Sequence, residues 1–141
     1  TPEATVLELT DPARITAALV LLSVVGIESG GIFLVRLAGS REGATDFQRA
    51  FYRAGHAHAG VLVTLGLVCL ILTHATALTG FWAWLASSGV LVAAAVMSGG
   101  FFAAAAGQGR TRPSRWVGLL WLGATFLAGG VVTLGVGLLS A

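Results

Sequence analysis

Three ionisable side chains that lie within or beside long apolar runs are the residues best suited to chemistry: Glu28, His56 and His58. Glu28 stands eight residues before Arg36, so on a helix it lies about 12 Å deeper than that arginine. A charge at such depth in a membrane is costly, and ionisable residues there usually mark a functional site. The alternatives for Glu28 are a protonated carboxyl bonded to neighbouring backbone and an ion pair with an arginine.

The two histidines belong to the motif GHAHAG at residues 55–60. Residues two apart on a helix point in nearly opposite directions, so this pair cannot chelate one ion while helical. His56 shares its face with Arg53 and Thr64, and we expect it to face the interior, with Arg53 as a supporting residue. His58 shares its face with apolar residues, and we expect it to serve a contact in an oligomer.

Two histidines near a glutamate suit three kinds of chemistry. Glu28, His56 and His58 together offer ligands for a borderline transition metal. His56 or His58 is also a candidate axial ligand for haem, and these groups suit a proton relay near neutral pH. The alternative is that both histidines are amphipathic residues just inside the lipid headgroups.

His74 and Cys69 are assigned simpler roles. His74 lies eighteen residues after His56, about 27 Å along a helix, so we expect it at the opposite membrane interface. Cys69 is the only cysteine; it excludes an intrachain disulfide and is expected to be a small packing residue.

Composition indicates the elements that must position these residues. Of the 141 residues, 56% are hydrophobic and only 10% are charged, whereas a soluble domain has about a quarter charged residues. We therefore expect a lipid bilayer as the surrounding solvent. The net charge of +2 does not imply nucleic acid, because the arginines flank apolar runs, where membrane orientation explains them.

The apolar runs predict an all-α fold, a four-helix transmembrane bundle, since each is long enough to cross the hydrocarbon. The predicted spans are residues 13–38, 46–78, 81–107 and 115–140. Thr10, Asp11 and Pro12 form a helix-start signal, and Thr45 with Gln48 forms a capping box. Residues 1–11 lack the basic start of a signal peptide, so we expect an uncleaved membrane protein.

The arginines predict the orientation. Seven lie on the side of the first and third connections, namely Arg36, Arg41, Arg49, Arg53, Arg110, Arg112 and Arg115. Only Arg14 lies on the other side, together with acidic residues. By the positive-inside rule we expect a multi-pass protein of the cell (plasma) membrane with both termini outside the cytoplasm.

The sequence also predicts an internal repeat. Ser29-Gly30-Gly31 recurs as Ser98-Gly99-Gly100, and Val63-Thr-Leu-Gly66 recurs as Val132-Thr-Leu-Gly135, both 69 residues later. We infer one domain, 1–141, made of two tandem hairpins in parallel orientation, about 12–79 and about 81–141. The shared small residues are expected to pack helices.

The second copy lacks the ionisable set. At the same offset Glu28 aligns with Met97, His58 with Leu127 and His56 with Thr125. The repeated fold therefore does not need these groups. Thr125, as the polar counterpart of His56, is a further supporting candidate.

Two stretches carry a family resemblance: SGG-x₂-L in the first span and RAGHAHAG at the start of the second. Together they resemble small, uncharacterised four-span integral membrane proteins of high-GC bacteria with a GHAHAG motif. The resemblance covers most of the chain and implies no established activity. The HAH stretch is also similar to histidine-bearing second helices in haem-copper oxidase relatives, but the chain lacks the further membrane histidines of a binuclear centre.

These patterns favour a small integral membrane protein with an intramembrane Glu/His site that binds a metal or haem or relays protons. One alternative is an oligomeric channel or carrier for ions or small solutes. Another is a structural or accessory subunit of a larger membrane complex, with the histidines in contacts. No nucleophile–base–acid order for hydrolysis is present, so an enzyme is the least favoured class. For this protein we expect a homo-oligomer or a larger membrane complex.

Overall fold

Long helices make up most of the chain in the computed structural model, which describes residues 8–40 and 43–141. They are α1, Asp11–Gly39; α2, Asp46–Leu72; α3, Gly80–Ala105; and α4, Gly118–Leu139. One 3₁₀ turn, Thr73–Ala75, follows α2 and another, Arg115–Val117, leads into α4. Four helical segments are long and apolar enough to cross a membrane. The predicted all-α bundle of four helices is confirmed.

Two parts of the sequence-based argument lie outside the described residues. The expectation of an uncleaved start depends largely on residues 1–7, and one arginine used for orientation is Arg41. The helix boundaries and the remaining arginines lie within the described ranges.

Local sequence signals explain where α1 and α2 begin. Thr10 is the N-cap of α1, and a proline lies in the first turn. The backbone N–H groups of the first turn have no partner within the helix, so the N–H that proline lacks costs no hydrogen bond there. At α2, Thr45 accepts from the backbone N–H of Gln48 at 3.2 Å. Gln48 in return accepts from the backbone N–H of Thr45 at 3.1 Å. The predicted capping box is therefore present and satisfies donors that have no helical partner.

The second helix ends earlier than the predicted residue 78. The hydroxyl of Thr73 donates to the carbonyl of Cys69 at 2.8 Å, and that of Thr76 donates to the carbonyl of Thr73, also at 2.8 Å. Both carbonyls also accept from the backbone N–H groups of Thr73 and Thr76, so the hydroxyls add to the backbone bonds of the last turn and do not replace them. The chain tightens into the 3₁₀ turn and becomes extended at Thr76.

Helix α3 lies at the centre and packs against both α2 and α4. Its buried residues are mostly small: Ala86, Gly89, Val90, Ala93, Ala94, Ser98, Gly100, Ala104 and Ala105. Small residues allow the close backbone approach through which helices associate in lipid. A Cβ added to Gly130 would lie 3.4 Å from the Cα of Gly89. Cys69 is buried in the same core, as expected of a packing residue.

Helix α1 is more peripheral and contacts only α2 among the described helices. Ala13 is its one buried residue. Leu22 and Val25 are 69% and 68% exposed, so most of the apolar surface of α1 faces lipid or another protein.

Two pairs of positions related by the predicted repeat have different surroundings. A Cβ on Gly66 would collide with Leu91, whereas Gly135, its counterpart, has nothing within 4 Å. Met97 packs against Gly123 at the α3–α4 interface, whereas its counterpart Glu28 is exposed. The repeat therefore stays a prediction from the sequence.

Candidate functional site

A groove of about 700 Å³ lies between α1 and α2, and we call it the α1–α2 groove. Its lining combines apolar walls with a carboxyl, an imidazole, a guanidinium and a hydroxyl group. The lining residues are Val24, Ile27, Glu28, Gly31, Ile32, Val35, Arg36, His56, Gly60 and Thr64. Glu28 and His56, which the sequence nominated separately, therefore share one groove.

His56 reaches this position because α1 carries glycines opposite it. A Cβ on Gly30 would lie 3.2 Å from Nδ1 of the His56 ring, and one on Gly31 would lie 3.4 Å from Cε1 and Nε2. A side chain at Gly30 would therefore restrict the imidazole, whereas one at Gly31 would make ordinary van der Waals contact with it. Gly26, one turn earlier on α1, makes no such approach, since a Cβ there has nothing within 4 Å.

Glu28 belongs to the same side of α1 as Gly31, three residues later, since residues at that spacing are neighbours on a helix surface. Within the described chain, neither Glu28 nor His56 makes a hydrogen bond or ion pair to another protein group. Thr64 differs, because its hydroxyl donates to the carbonyl of Gly60 at 3.0 Å. The groove thus holds one acid and one imidazole whose polar atoms are available to a ligand or a proton.

His58 faces away from this groove, toward α3. Its ring centroid lies 4.9 Å from that of Phe101, and its Nδ1 lies 2.8 Å from the carbonyl oxygen of Ala54. A carbonyl only accepts, so Nδ1 donates in this contact. The structure thus gives His58 an intramolecular neighbour where the sequence suggested an oligomer contact.

His74 lies in the 3₁₀ turn after α2, with Nδ1 3.1 Å from the carbonyl oxygen of Leu70. It therefore stands apart from His56, at the other end of α2, as the spacing along the helix predicts. Both His58 and His74 have a backbone partner for one ring nitrogen, and His56 is the histidine that faces the groove.

The metal hypothesis required Glu28, His56 and His58 to converge. In residues 8–40 and 43–141, no group of three or more His, Cys, Asp or Glu side chains is placed to hold a metal ion. The opposite directions of His56 and His58 account for this. The groove by itself offers two such side chains, Glu28 and His56.

The two supporting candidates lie elsewhere. Arg53 lines a smaller pocket of about 200 Å³ between the end of α1 and the start of α2. Thr125 lies on α4, in a separate surface groove, and its hydroxyl donates to the carbonyl of Trp121 at 3.0 Å. Since α1 and α4 are not in contact, Thr125 does not complete the site of Glu28.

Two residues with structural roles next to the site were missed by sequence reasoning. Arg49 donates to the carbonyls of Leu37 and Ser40, at 2.5 and 2.7 Å, and so joins the end of α1 to α2. Gln48, assigned only a capping role, also donates to the carbonyls of Ala105 and Gly107, at 2.9 and 2.6 Å. The available signal was the position of both residues beside the short first connection.

The fold and the composition define a small multi-pass integral membrane protein with four helical spans. No family model, curated protein or solved structure matches the chain. The assignment of a function therefore depends on the geometry of the site.

Proposed function

We propose that this small integral membrane protein exchanges protons at an intramembrane site formed by Glu28 and His56. The observation that carries the proposal is that these two titratable side chains line one groove and lack partners among the described protein groups. Ionisable residues within membrane spans are characteristic of proton relays and substrate paths. Histidine also changes charge close to physiological pH.

The order of polar groups along the groove supports a path from one end of the bundle. Arg36 lies near the end of α1, and the His56 ring lies deeper, opposite Gly30 and Gly31. Glu28 stands two to three residues further in, roughly 3–4.5 Å at the helical rise per residue. A proton entering from the arginine-rich end would therefore meet the imidazole first and the carboxyl second.

Metal and haem binding are less well supported. A metal would need ligands beyond Glu28 and His56, and His58 packs on Phe101 instead. A haem would find one histidine as an axial ligand in the groove, His56, and no second one there. An absorption spectrum and elemental analysis of protein purified without chelator separate these functions: stoichiometric metal or a Soret band lost in His56→Ala would replace the proton proposal.

The proton proposal is tested with protein in liposomes that enclose a pH-sensitive dye. Wild type should dissipate an imposed pH gradient, while Glu28→Gln and His56→Gln should fall to the rate of protein-free liposomes. His74→Gln is the matched control, because His74 lies outside the groove and should keep the wild-type rate. A wild-type rate equal to that of empty liposomes contradicts transmembrane proton transfer.

A second measurement tests proton exchange at Glu28 without requiring flux. Dicyclohexylcarbodiimide is an apolar reagent that modifies protonated carboxyl groups, and mass spectrometry locates the adduct. We expect modification at Glu28 that decreases as the pH rises. Absence of an adduct at Glu28 across the pH range would contradict the proposed site.

A role in a larger assembly is the second candidate, favoured by the exposure of α1. Only Ala13 of α1 is buried and α2 is its only helical neighbour, so its surface is available to a second copy or another membrane subunit. The channel or carrier alternative belongs here, since a groove on the side of one chain becomes a closed path only against a partner. Native mass spectrometry in mild detergent gives the oligomeric state: a strictly monomeric protein with full flux contradicts this candidate.

We also propose the orientation predicted by the arginines. Arg36, Arg49 and Arg53 lie where α1 ends and α2 begins, whereas Arg14 lies near the start of α1. By the positive-inside rule the first end is cytoplasmic, and both termini lie outside the cytoplasm of a plasma-membrane protein. A terminal tag accessible to protease only from the cytoplasm would refute this orientation.

A further inference from the structure

The pocket of about 200 Å³ between the end of α1 and the first turns of α2 combines apolar walls with two arginines, and we call it the arginine pocket. It is lined by Leu34, Leu37, Ala38, Arg49 and Arg53. None of these five residues is acidic. The pocket therefore presents positive charge beside apolar surface at the end of two membrane-spanning helices.

Arg49 is held in place by neutral groups. Its guanidinium donates to the carbonyls of Leu37 at 2.5 Å, Ser40 at 2.7 Å and Ala44 at 3.2 Å. These bonds use three of the five N–H donors of an arginine. The group is thus positioned by the backbone, no ion pair joins it to a carboxylate of the described residues, and donors remain for an anion.

Arg53 lies one helical turn after Arg49 and is exposed. It makes no hydrogen bond or ion pair to the described protein groups. The ion pair found among the described residues joins Arg14 to Asp11, at the other end of α1. Like charges at this spacing repel each other on a helix. An anion between the two guanidinium groups would remove that repulsion.

We propose that the arginine pocket binds the phosphate of an anionic phospholipid, with the start of an acyl chain against Leu34 and Leu37. Guanidinium groups form paired hydrogen bonds with phosphate oxygens, and basic pockets between membrane helices bind anionic headgroups. The apolar walls favour a lipid over a free phosphate ion, and the volume admits a headgroup phosphate, not a whole lipid. This site is independent of the proposed proton exchange.

The test is native mass spectrometry of the full chain in detergent with equal amounts of phosphatidylglycerol and phosphatidylcholine. Wild type should retain phosphatidylglycerol in preference, and Arg53→Gln should reduce that retention several-fold. Arg112→Gln is the matched control, because it removes one exposed arginine from the same end of the bundle. Equal losses in both variants would show general charge attraction and overturn the proposal, as would equal retention of the two lipids.

Two further experiments test whether binding needs the shape of the pocket as well as its charge, and whether the ligand is a lipid or a free ion. Ala38→Phe fills the pocket without changing the net charge and should also lower the retention of phosphatidylglycerol; unchanged retention contradicts binding in this pocket. Inorganic phosphate at the same concentration as the lipid should not displace it, and displacement would overturn the lipid assignment in favour of a free phosphate. Arg49 is left intact because it holds the end of α1.

Discussion

The imidazole of His56 lies directly against the backbone of Gly30, so that a Cβ on this glycine would stand only 3.2 Å from Nδ1. The contact joins α1 to α2 at the level of the groove. It also explains how a histidine fits between two helices, since a side chain at Gly30 would make the ring shift.

We expect Gly30→Ala to displace the His56 ring, because a Cβ contact at 3.2 Å is tighter than ordinary van der Waals contact. The ring can give by a few tenths of an ångström, so the free energy of unfolding should fall by no more than about 1 kcal/mol. The NMR resonances of selectively labelled imidazole rings in micelles report the displacement. Gly26→Ala, with nothing within 4 Å of its Cβ, should leave the His56 resonances unchanged; equal shifts would refute the contact.

The α3–α4 interface should respond more strongly to a similar change. A Cβ on Gly130 would meet backbone atoms, the Leu85 oxygen at 3.1 Å and the Val90 nitrogen at 3.3 Å. Backbone cannot rotate away as a side chain can, so Gly130→Ala should force the helices apart and cost about 1–3 kcal/mol. Unfolding in mixed micelles with increasing SDS measures this cost.

Gly135→Ala is the control on the same helix, because its Cβ would have nothing within 4 Å. We expect a change in the free energy of unfolding within about 0.5 kcal/mol, typical of a surface position. If both alanine variants lost stability equally, the close approach of α3 and α4 at Gly130 would be wrong.

Gln48 should be important for stability although it lies at the end of the bundle. It is 3% exposed and donates to Ala105 and Gly107 across the interface with α3. Gln48→Ala removes both bonds and leaves the Ala105 carbonyl with only the 3.4 Å bond from Tyr52, which should cost about 1–3 kcal/mol at about 0.5–1.5 kcal/mol for each bond. The exposed residue Gln108 provides the control, since Gln108→Ala should leave the SDS unfolding curve unchanged.

Arg49 should stabilise the helical structure at the end of α1. Arg49→Lys keeps the charge but loses the planar fork that reaches Leu37, Ser40 and Ala44, because an ammonium group does not reproduce this geometry. We expect faster hydrogen–deuterium exchange in residues 37–40 and unchanged exchange in α3. Arg112→Lys, at an exposed position, should not alter either region; slow exchange in Arg49→Lys would show that α1 ends without this support.

Much of the fold could be predicted because its signals are local. The threonine–glutamine pair that starts α2 lies within one turn, and the apolar runs have the length of membrane spans. The early end of α2 was missed because no proline or glycine interrupts the sequence between Leu72 and Gly80, and hydrophobicity does not report where the backbone ladder ends.

The candidate site was predicted only in part. The cost of ionisable groups in apolar runs nominated Glu28 and His56, and the structure places both in one groove. The same reasoning grouped His58 and Arg53 with them, yet His58 packs on Phe101 and Arg53 lines another pocket. The spacing of residues along one helix predicts on which side of that helix each side chain lies. It does not predict which neighbouring helix packs against that side.

The sequence by itself determined that this protein is a set of four apolar helices, and that acidic residues and histidines occur only in or beside the first two. These properties follow from local composition, capping and the thickness of a bilayer. The tertiary structure alone decided that His56 meets Gly30 of α1 while His58 meets Phe101 of α3. That choice depends on the rotation of α2 about its axis, which is set by packing between residues far apart in the chain, such as Gly66 against Leu91.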